Sequence, residues 1–108
     1  MVQMQLERHR ARRYSLHASI DLTDLQSETQ IREHTSDLSL FGCHVDTLKP
    51  LPPETKVRIK ISHRGENFEA LGKVTYSRSN AGMGIIFTRI ESHDQSVLDK
   101  WIAELRGQ

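Results

Sequence analysis

The sequence has one cysteine, three prolines and few aromatic residues, which make up 6% of its 108 residues. The single cysteine, Cys43, cannot form a disulfide within the chain, and this fits a reducing compartment. No apolar run is long enough to span a bilayer, and the N-terminus lacks the apolar stretch of a secretory signal. We therefore expect a cytoplasmic protein without membrane insertion. A chain of this length suits one domain with one hydrophobic core.

Patterns typical of catalysis and metal binding are also missing from the sequence. None of the six histidines belongs to a paired-ligand motif, and Cys43 has no second cysteine beside it. Cys43 and His44 are adjacent, but neighbours on a strand point to opposite faces, so they should not form a nucleophile and its base. We expect no metal, no cofactor and no enzymatic activity.

Positive charge is concentrated at the N-terminus, in the stretch ERHRARRYS. Four arginines fall within six positions there: Arg8, Arg10, Arg12 and Arg13. The first 13 residues carry a net charge of +3, whereas the remaining residues carry 11 basic and 13 acidic side chains, a net charge of −2. Guanidinium groups bind phosphate through paired hydrogen bonds and keep their charge. The pattern favours a local anion site, and a solvated basic tail is the plain alternative.

Alternating hydrophobicity predicts six short strands. In SLHASIDLTDL, four apolar side chains fall on one side of the chain: Leu16, Ala18, Ile20 and Leu22. Further strands are expected in TQIREHTSDLS, GCHVDT, KVRIKIS, NFEALGKVTYS and MGIIF. The prolines of KPLPPE require a loop, and HRGE and RSNAG have the length and composition of turns. Short antiparallel strands with such connections predict a small barrel or sandwich.

The hydrophobic period changes near the C-terminus and predicts a helix over about 93–106. One apolar stripe contains Val97, Leu98, Trp101, Ile102 and Leu105. Ser92 and Gln95 have the spacing of a capping box, and Gly107 is expected to end the helix. We expect the stripe, including Trp101, to pack against the barrel as part of the core.

A second candidate site is SDLSLFG, residues 36–42. We expect Asp37 and Ser39 to lie on one side of an extended chain, and Gly42 permits a backbone conformation closed to other residues. Short polar side chains beside a glycine can hydrogen-bond a flat polar ligand at close range. An ordinary turn at the end of a strand is the plain alternative.

The arginine cluster and D-x-S-x-x-G, followed by this series of strands and a helix, resemble the PilZ domain family. That family is marked by R-x-x-x-R and [D/N]-x-S-x-x-G, and the resemblance runs from Glu7 onward. It implies a mainly β fold, a six-stranded antiparallel split β-barrel with a C-terminal α-helix. It also implies binding of the bacterial second messenger cyclic di-GMP, with arginines on phosphates and guanines and with Asp37, Ser39 and Gly42 on a guanine edge and ribose.

Two registers of the arginine motif fit this resemblance. Arg8 and Arg12 satisfy R-x-x-x-R literally, whereas alignment on the first strand pairs His9 with Arg13. The residues that the resemblance implies for the ligand are Arg8, His9, Arg10, Arg12, Arg13, Asp37, Ser39 and Gly42.

The resemblance also divides the chain into a flexible arginine-rich arm, residues 1–14, and a single barrel domain, residues 15–108. The arm is expected to order over the barrel edge when the ligand binds and to signal to an unidentified effector protein, from a monomer or weak homodimer. The alternative is a PilZ-like interaction adaptor that does not bind the nucleotide. A barrel that binds single-stranded nucleic acid is disfavoured, because such barrels stack bases on several aromatic side chains.

Overall fold

The computed structural model describes residues 11–107, which contain seven strands and one helix. The strands are β1 Tyr14–Ser15, β2 Ser19–Asp24, β3 Gln30–Leu38, β4 Gly42–Asp46, β5 Lys56–His63, β6 Glu66–Arg78 and β7 Gly82–Arg89. The helix, α1, is Ser92–Arg106. Within these described residues, no helix has the length and apolar character needed to cross a membrane.

The strands form a closed antiparallel barrel. Their order in the sheet is β1-β3-β2-β5-β6-β7-β4, and β4 also pairs with β3, which closes the six strands β2 to β7 into a ring with β1 beside β3. The predicted six-stranded barrel with a C-terminal helix is confirmed in β2 to β7 and α1. Strand β1 was not predicted. Its two residues, which pair with the end of β3, are too few to produce a visible alternation.

The interior of the barrel is filled by the side chains that alternation predicted. Those buried from the first and fourth predicted strands are Leu16, Ala18, Ile20, Leu22, Val57, Ile59 and Ile61. The outer face of this part of the barrel is charged: Arg32 Nε of β3 donates a 2.7 Å hydrogen bond to Asp21 Oδ1 of β2. This hydrogen bond holds the pKa of Asp21 below its ordinary value.

A buried threonine of β3, Thr35, binds the short segment between β1 and β2. The Thr35 hydroxyl donates to the Leu16 carbonyl (2.5 Å) and accepts from the Ala18 amide (3.1 Å). These two backbone groups lie where the chain leaves one strand and enters the next, and Thr35 satisfies them inside the barrel wall. Residues of β3 before Thr35 pair with β2, and Asp37 and Leu38 after it pair with β1.

Two connections between strands lie where glycine and proline predicted them. Arg64 and Gly65, both with positive φ, form the two-residue turn between β5 and β6, as the glycine of HRGE predicted. The proline-containing segment 49–54 lies outside every strand, also as predicted, because proline removes a ladder hydrogen bond.

Helix α1 packs one face against β6 and buries Val97, Leu98, Trp101 and Ile102. The predicted capping box is wrong. The helix begins one residue earlier than that motif requires, so Glu91 is the N-cap and has no side-chain cap. The Gln95 side chain instead donates to Asp99 Oδ1 at 2.9 Å. The helix ends before Gly107, as expected.

Trp101 also contacts the hairpin between β5 and β6. The His63 ring meets the indole edge to face, with centroids 5.3 Å apart. Burial against this surface, together with the charge of Arg64, lowers the pKa of His63 from its ordinary value of 6.5, although Glu104 and Glu66 oppose the shift.

Replacing His63 with glutamine should reduce the loss of stability between about pH 7.5 and about pH 5.5. The unfolded chain takes up a proton at His63 near its ordinary pKa of 6.5, and the folded chain does so only at lower pH. Wild-type stability should therefore fall as the pH drops below that value. Urea unfolding at the two pH values measures the effect. Equal losses in wild type and His63→Gln would show that His63 plays no part.

Candidate functional site

The turn between β3 and β4 is closed by hydrogen bonds to Ser39. Its amide donates to the Gly42 carbonyl at 2.8 Å. Its hydroxyl accepts from the amides of Phe41 (3.1 Å) and Gly42 (3.2 Å) and donates to the Gly42 carbonyl (3.3 Å). Ser39 is only 4% exposed. The extended strand expected to carry both Asp37 and Ser39 ends at Leu38, because the serine hydroxyl holds the chain in a turn.

Gly42 is required by the close approach of β7. A Cβ built at this position would lie 2.2 Å from the carbonyl oxygen of Ile85, far inside van der Waals contact. Positive φ among the described glycines is found at Gly65 and Gly82, not at Gly42. Gly42 therefore does not use the backbone conformation that only glycine permits. Glycine is needed at this position because β7 leaves no room for a Cβ.

Arg13 and Asp37 form an ion pair beside this turn. Arg13 Nη1 lies 2.7 Å from Asp37 Oδ1, and the same oxygen accepts a 3.1 Å hydrogen bond from the His44 amide. The side chains of Arg13 and Asp37 are 50% and 29% exposed, so solvent reaches both charges. The β3–β4 pairing places Asp37 opposite His44, and this fixes the carboxylate at the barrel edge.

A cavity of about 270 Å³ opens between the arginine and the turn. It brings together three of the predicted residues, Arg13, Ser39 and Gly42. Its remaining walls come from the chain before β1, the turn itself, β6 and β7: Ala11, Phe41, Thr75, Ile85 and Ile86. The cavity is therefore lined by one arginine, one phenylalanine and small or apolar residues.

The other predicted residues are placed differently. Asp37 does not line the cavity, but it contacts Arg13, which does. Arg12 is exposed, with its guanidinium carbon 5.7 Å from the centre of the Tyr14 ring. The remaining three predicted residues, Arg8, His9 and Arg10, lie outside the described residues.

A row of cross-strand neighbours continues from Asp37 over the outer surface. Pairing places Asp37 opposite His44, His44 opposite Gly84, and Gly84 opposite Tyr76. Because Gly84 has no side chain, the Tyr76 ring can lie across it and bring its hydroxyl 2.7 Å from His44 Nδ1. His44 Nε2 lies 3.2 Å from the Ala81 carbonyl, which can only accept, so in the neutral ring Nε2–H donates to that carbonyl and Nδ1 accepts a hydrogen bond from the Tyr76 hydroxyl.

The sequence did not indicate the walls that β6 and β7 supply. Thr75 lies at a bulge, between Val74 and Tyr76, where the register of β6 against β7 shifts. Alternation alone cannot locate such a shift, so no signal in the sequence assigned Thr75 or Ile86 to the site. Phe41 could have been found, because it falls within D-x-S-x-x-G.

Cys43 and His44 do not form a catalytic pair. Cys43 is fully buried, and its burial, followed by the charge of Asp37, raises the pKa of its thiol to about 12. His44 lies on the opposite side of β4 with Tyr76, as strand geometry predicted. Within residues 11–107, no group of three or more histidine, cysteine or carboxylate side chains is arranged to hold a metal ion.

A larger depression, of about 340 Å³, lies over β5, β6, the end of β7 and the start of α1. Two arginines and three carboxylates line it, and Arg89 is already paired with Glu91 at 2.9 Å. Carboxylates outnumber arginines on this surface, whereas no carboxylate is among the described residues that line the cavity at Arg13, so the cavity suits an anion better.

Comparison with protein families identifies this arrangement. The family model of the PilZ domain matches residues 7–104, and the chain belongs to that family. The family is known for binding cyclic di-GMP as a ligand, and its members are binding and adaptor domains rather than enzymes. The search of curated proteins found no match.

Solved structures share the fold at low sequence identity. The PilZ domain of CeSA from a cellulose-synthesizing bacterium is 18% identical, with a TM-score of 0.71, over 89% of this chain and 99% of that chain. The PilZ domain of YcgR from Escherichia coli, solved with c-di-GMP, is 19% identical, with a TM-score of 0.69, over 90% of each chain. The Bacillus subtilis inhibitor of motility MotI/DgrA is 18% identical, with a TM-score of 0.63, over 82% of this chain and 46% of that longer chain.

Replacing Gly42 with alanine should destabilise the protein by about 1–3 kcal/mol, because a methyl group must displace the backbone of β7. Gly107→Ala is the matched control. Its φ is −80° and its nearest neighbour to a new Cβ is 3.6 Å away, so it should be nearly neutral. Urea unfolding measures both changes. Equal stability of the two variants would contradict the close approach at Gly42.

Proposed function

We propose that the protein binds cyclic di-GMP at the cavity beside the β3–β4 turn and signals to a partner protein. The observation that carries this proposal is the convergence of Arg13, Ser39 and Gly42, from two separated sequence motifs, on one cavity at the barrel edge. The family of the chain is known for this ligand. The E. coli YcgR domain solved with c-di-GMP supports the same ligand through its shared fold.

The chemistry of the site suits this ligand. Cyclic di-GMP carries two phosphates and two flat guanines. A guanidinium forms paired hydrogen bonds with phosphate and can also stack on a base. The net charge of +3 in the first 13 residues attracts a dianion, and the acidic remainder of the chain disfavours a longer polyanion.

Arg13 exchanges Asp37 for the ligand in this mechanism. Both side chains are partly exposed, so breaking their ion pair costs less than about 1 kcal/mol. A phosphate that carries a full charge and several acceptor oxygens competes well for the released guanidinium. The Asp37 carboxylate, still held by the His44 amide, is then available to accept the N–H groups of a guanine edge.

This exchange favours Arg13, in the register with His9, as the second arginine of the motif. Arg12 lies beside Tyr14, outside the cavity. The arginine-rich arm, residues 1–14, orders over the barrel edge as its guanidinium groups engage the ligand, and the barrel domain, residues 15–108, provides the fixed surface. The ordered arm creates a new surface that the effector protein recognises.

One observation favours the second candidate, an interaction adaptor that does not bind the nucleotide. Arg13 is already neutralised by Asp37, and the Ser39 hydroxyl is fully used within its turn. Both motifs then serve the fold alone, and partner binding is independent of the nucleotide.

Calorimetric titration distinguishes the two candidates. Cyclic di-GMP should bind the wild type, and the double variant Arg12→Ala, Arg13→Ala should lose at least about tenfold in affinity, because charge-assisted hydrogen bonds to phosphate disappear. GTP and cyclic AMP serve as ligand controls.

The matched control for charge is the double variant Arg58→Ala, Lys60→Ala. Both side chains are exposed on β5, away from the cavity, and their removal lowers the net charge equally. This control should bind cyclic di-GMP as the wild type does. No binding by the wild type, or equal losses in the two double variants, would contradict the proposed site.

A further inference from the structure

The chain contains a β-bulge between β1 and β2, where both strands pair with β3. The pairs on either side of the bulge are Ser15 with Asp37 and Ser19 with His34. Three residues, 16–18, therefore lie opposite only two residues of β3. One added residue of this kind shifts the register of a strand and re-aims the side chains beyond it.

The bulge places Arg13 on the face of the sheet that carries Asp37. If the register of β2 against β3 continued without a bulge, Leu16 would lie opposite Asp37. Antiparallel partners point to the same face, and Leu16 is buried in the core, so the carboxylate would then oppose an inward-facing position. The bulge places Ser15 there instead. Arg13 lies two residues before Ser15, on the same face, and its Nη1 lies 2.7 Å from Asp37 Oδ1.

The inner side of the bulge is held by the Thr35 hydroxyl. An added residue leaves backbone groups without ladder partners, and such groups are costly to bury unpaired. The hydroxyl donates to the Leu16 carbonyl at 2.5 Å and accepts from the Ala18 amide at 3.1 Å. Backbone bonds join the Thr35 amide to the Ala18 carbonyl (2.8 Å) and the Leu16 amide to the Ser36 carbonyl (3.2 Å). Thr35 is fully buried, so solvent cannot replace its hydroxyl.

The outer side of the bulge is covered by a stacked pair of imidazoles. His17 is the middle residue of the segment 16–18, and its exposed ring lies parallel to the ring of His34, with centroids 4.6 Å apart. The bulge is therefore held on both faces of the sheet. Because β1 has only two residues, its own pairing is too short to fix the path of the chain towards Arg13.

We propose that Thr35 is a positioning residue of the ligand site, which holds the bulge so that Arg13 lies on the same face as Asp37. This inference rests on the proposed function. Thr35 is buried and does not touch the ligand. It acts through the direction in which the chain leaves the barrel, and the bulge stays in place when the arginine-rich arm orders over cyclic di-GMP.

Calorimetric titration with cyclic di-GMP compares two substitutions of Thr35. Thr35→Val keeps the shape of the side chain but has no hydroxyl, and it should bind about fivefold more weakly than the wild type, or worse, because Arg13 is no longer aimed at the site. Thr35→Ser keeps the hydroxyl and should stay within about twofold of the wild type. Wild-type affinity in Thr35→Val would overturn the proposal.

The matched control is Thr47→Val. Thr47 is also buried, and its hydroxyl donates to Glu33 Oε2 (2.9 Å) and accepts from the Lys49 amide (3.1 Å). It follows the last residue of β4, whereas Gly42, at the cavity, is the first residue of that strand. Thr47→Val thus removes a buried hydroxyl with two partners away from the site, and it should bind cyclic di-GMP as the wild type does. A loss equal to that of Thr35→Val would contradict a specific role for Thr35.

The Arg13→Ala background separates positioning from stability. If Thr35 served stability alone, its loss would weaken binding whatever side chain stood at position 13. If it positions Arg13, Thr35→Val should weaken the Arg13→Ala variant by about twofold or less, because no guanidinium is left at that position to aim. Equal losses in the two backgrounds would overturn the proposal.

Nuclear Overhauser contacts between the backbone protons of Ser15 and Asp37 give a readout in the wild type, which does not depend on the folding of any variant. These contacts should persist in the complex with cyclic di-GMP. Their loss on binding would overturn the proposal, because the bulge would then not hold β1 in the bound state. Failure of the proposed function is distinguishable, because the wild type would then bind no cyclic di-GMP at all.

Discussion

The contact between the Gly42 backbone and the Ile85 carbonyl holds the barrel closed beside the site. At this point β4 lies between β3 and β7, and a Cβ on Gly42 would collide with β7. Because the strands approach so closely, the turn before β4 is pressed against the barrel and Phe41 can bond to β7. The cavity exists because Arg13 approaches this clamped turn from the other side. A looser closure would separate the turn from the wall that β6 and β7 provide.

The ion pair at the site is weak because solvent reaches both of its charges. The ion pair between Arg13 and Asp37 is exposed to solvent and salt, so it orders the arginine without holding it firmly. The Asp37 carboxylate has a second and more local hydrogen bond, from the His44 amide. In the proposed mechanism, this second hydrogen bond keeps the Asp37 carboxylate in place when Arg13 leaves it for the ligand.

Most of the fold could be predicted from the sequence, because alternation in chain order is a local property. It located the strands that bury Ile20 and Ile59, and the period of the last segment located the helix that buries Trp101. The capping box was wrong because a shift of one residue moved Ser92 from the cap into the helix. Strand β1 was missed because two residues contain no period.

The candidate site was predictable only where its residues are close in sequence. Asp37, Ser39 and Gly42 fall within one heptapeptide, and the structure places Ser39 and Gly42 at a single cavity with Arg13. Thr75 joins them through a bulge in β6, and a shift of register has no signature in the residues themselves. The physical reason for Gly42 was also beyond the sequence, because close approach depends on a strand more than 40 residues away.

Chemical-shift mapping of backbone amides during titration with cyclic di-GMP tests the location of the site most directly. If the account is correct, the largest changes among residues 11–107 will fall on Arg13, on residues 37–44 and on the walls at Thr75 and Ile86. The exposed face of β2 and β5, around Asp21 and Lys60, will stay unchanged. Changes centred on that face, or saturable binding without any change in residues 37–44, would contradict the account.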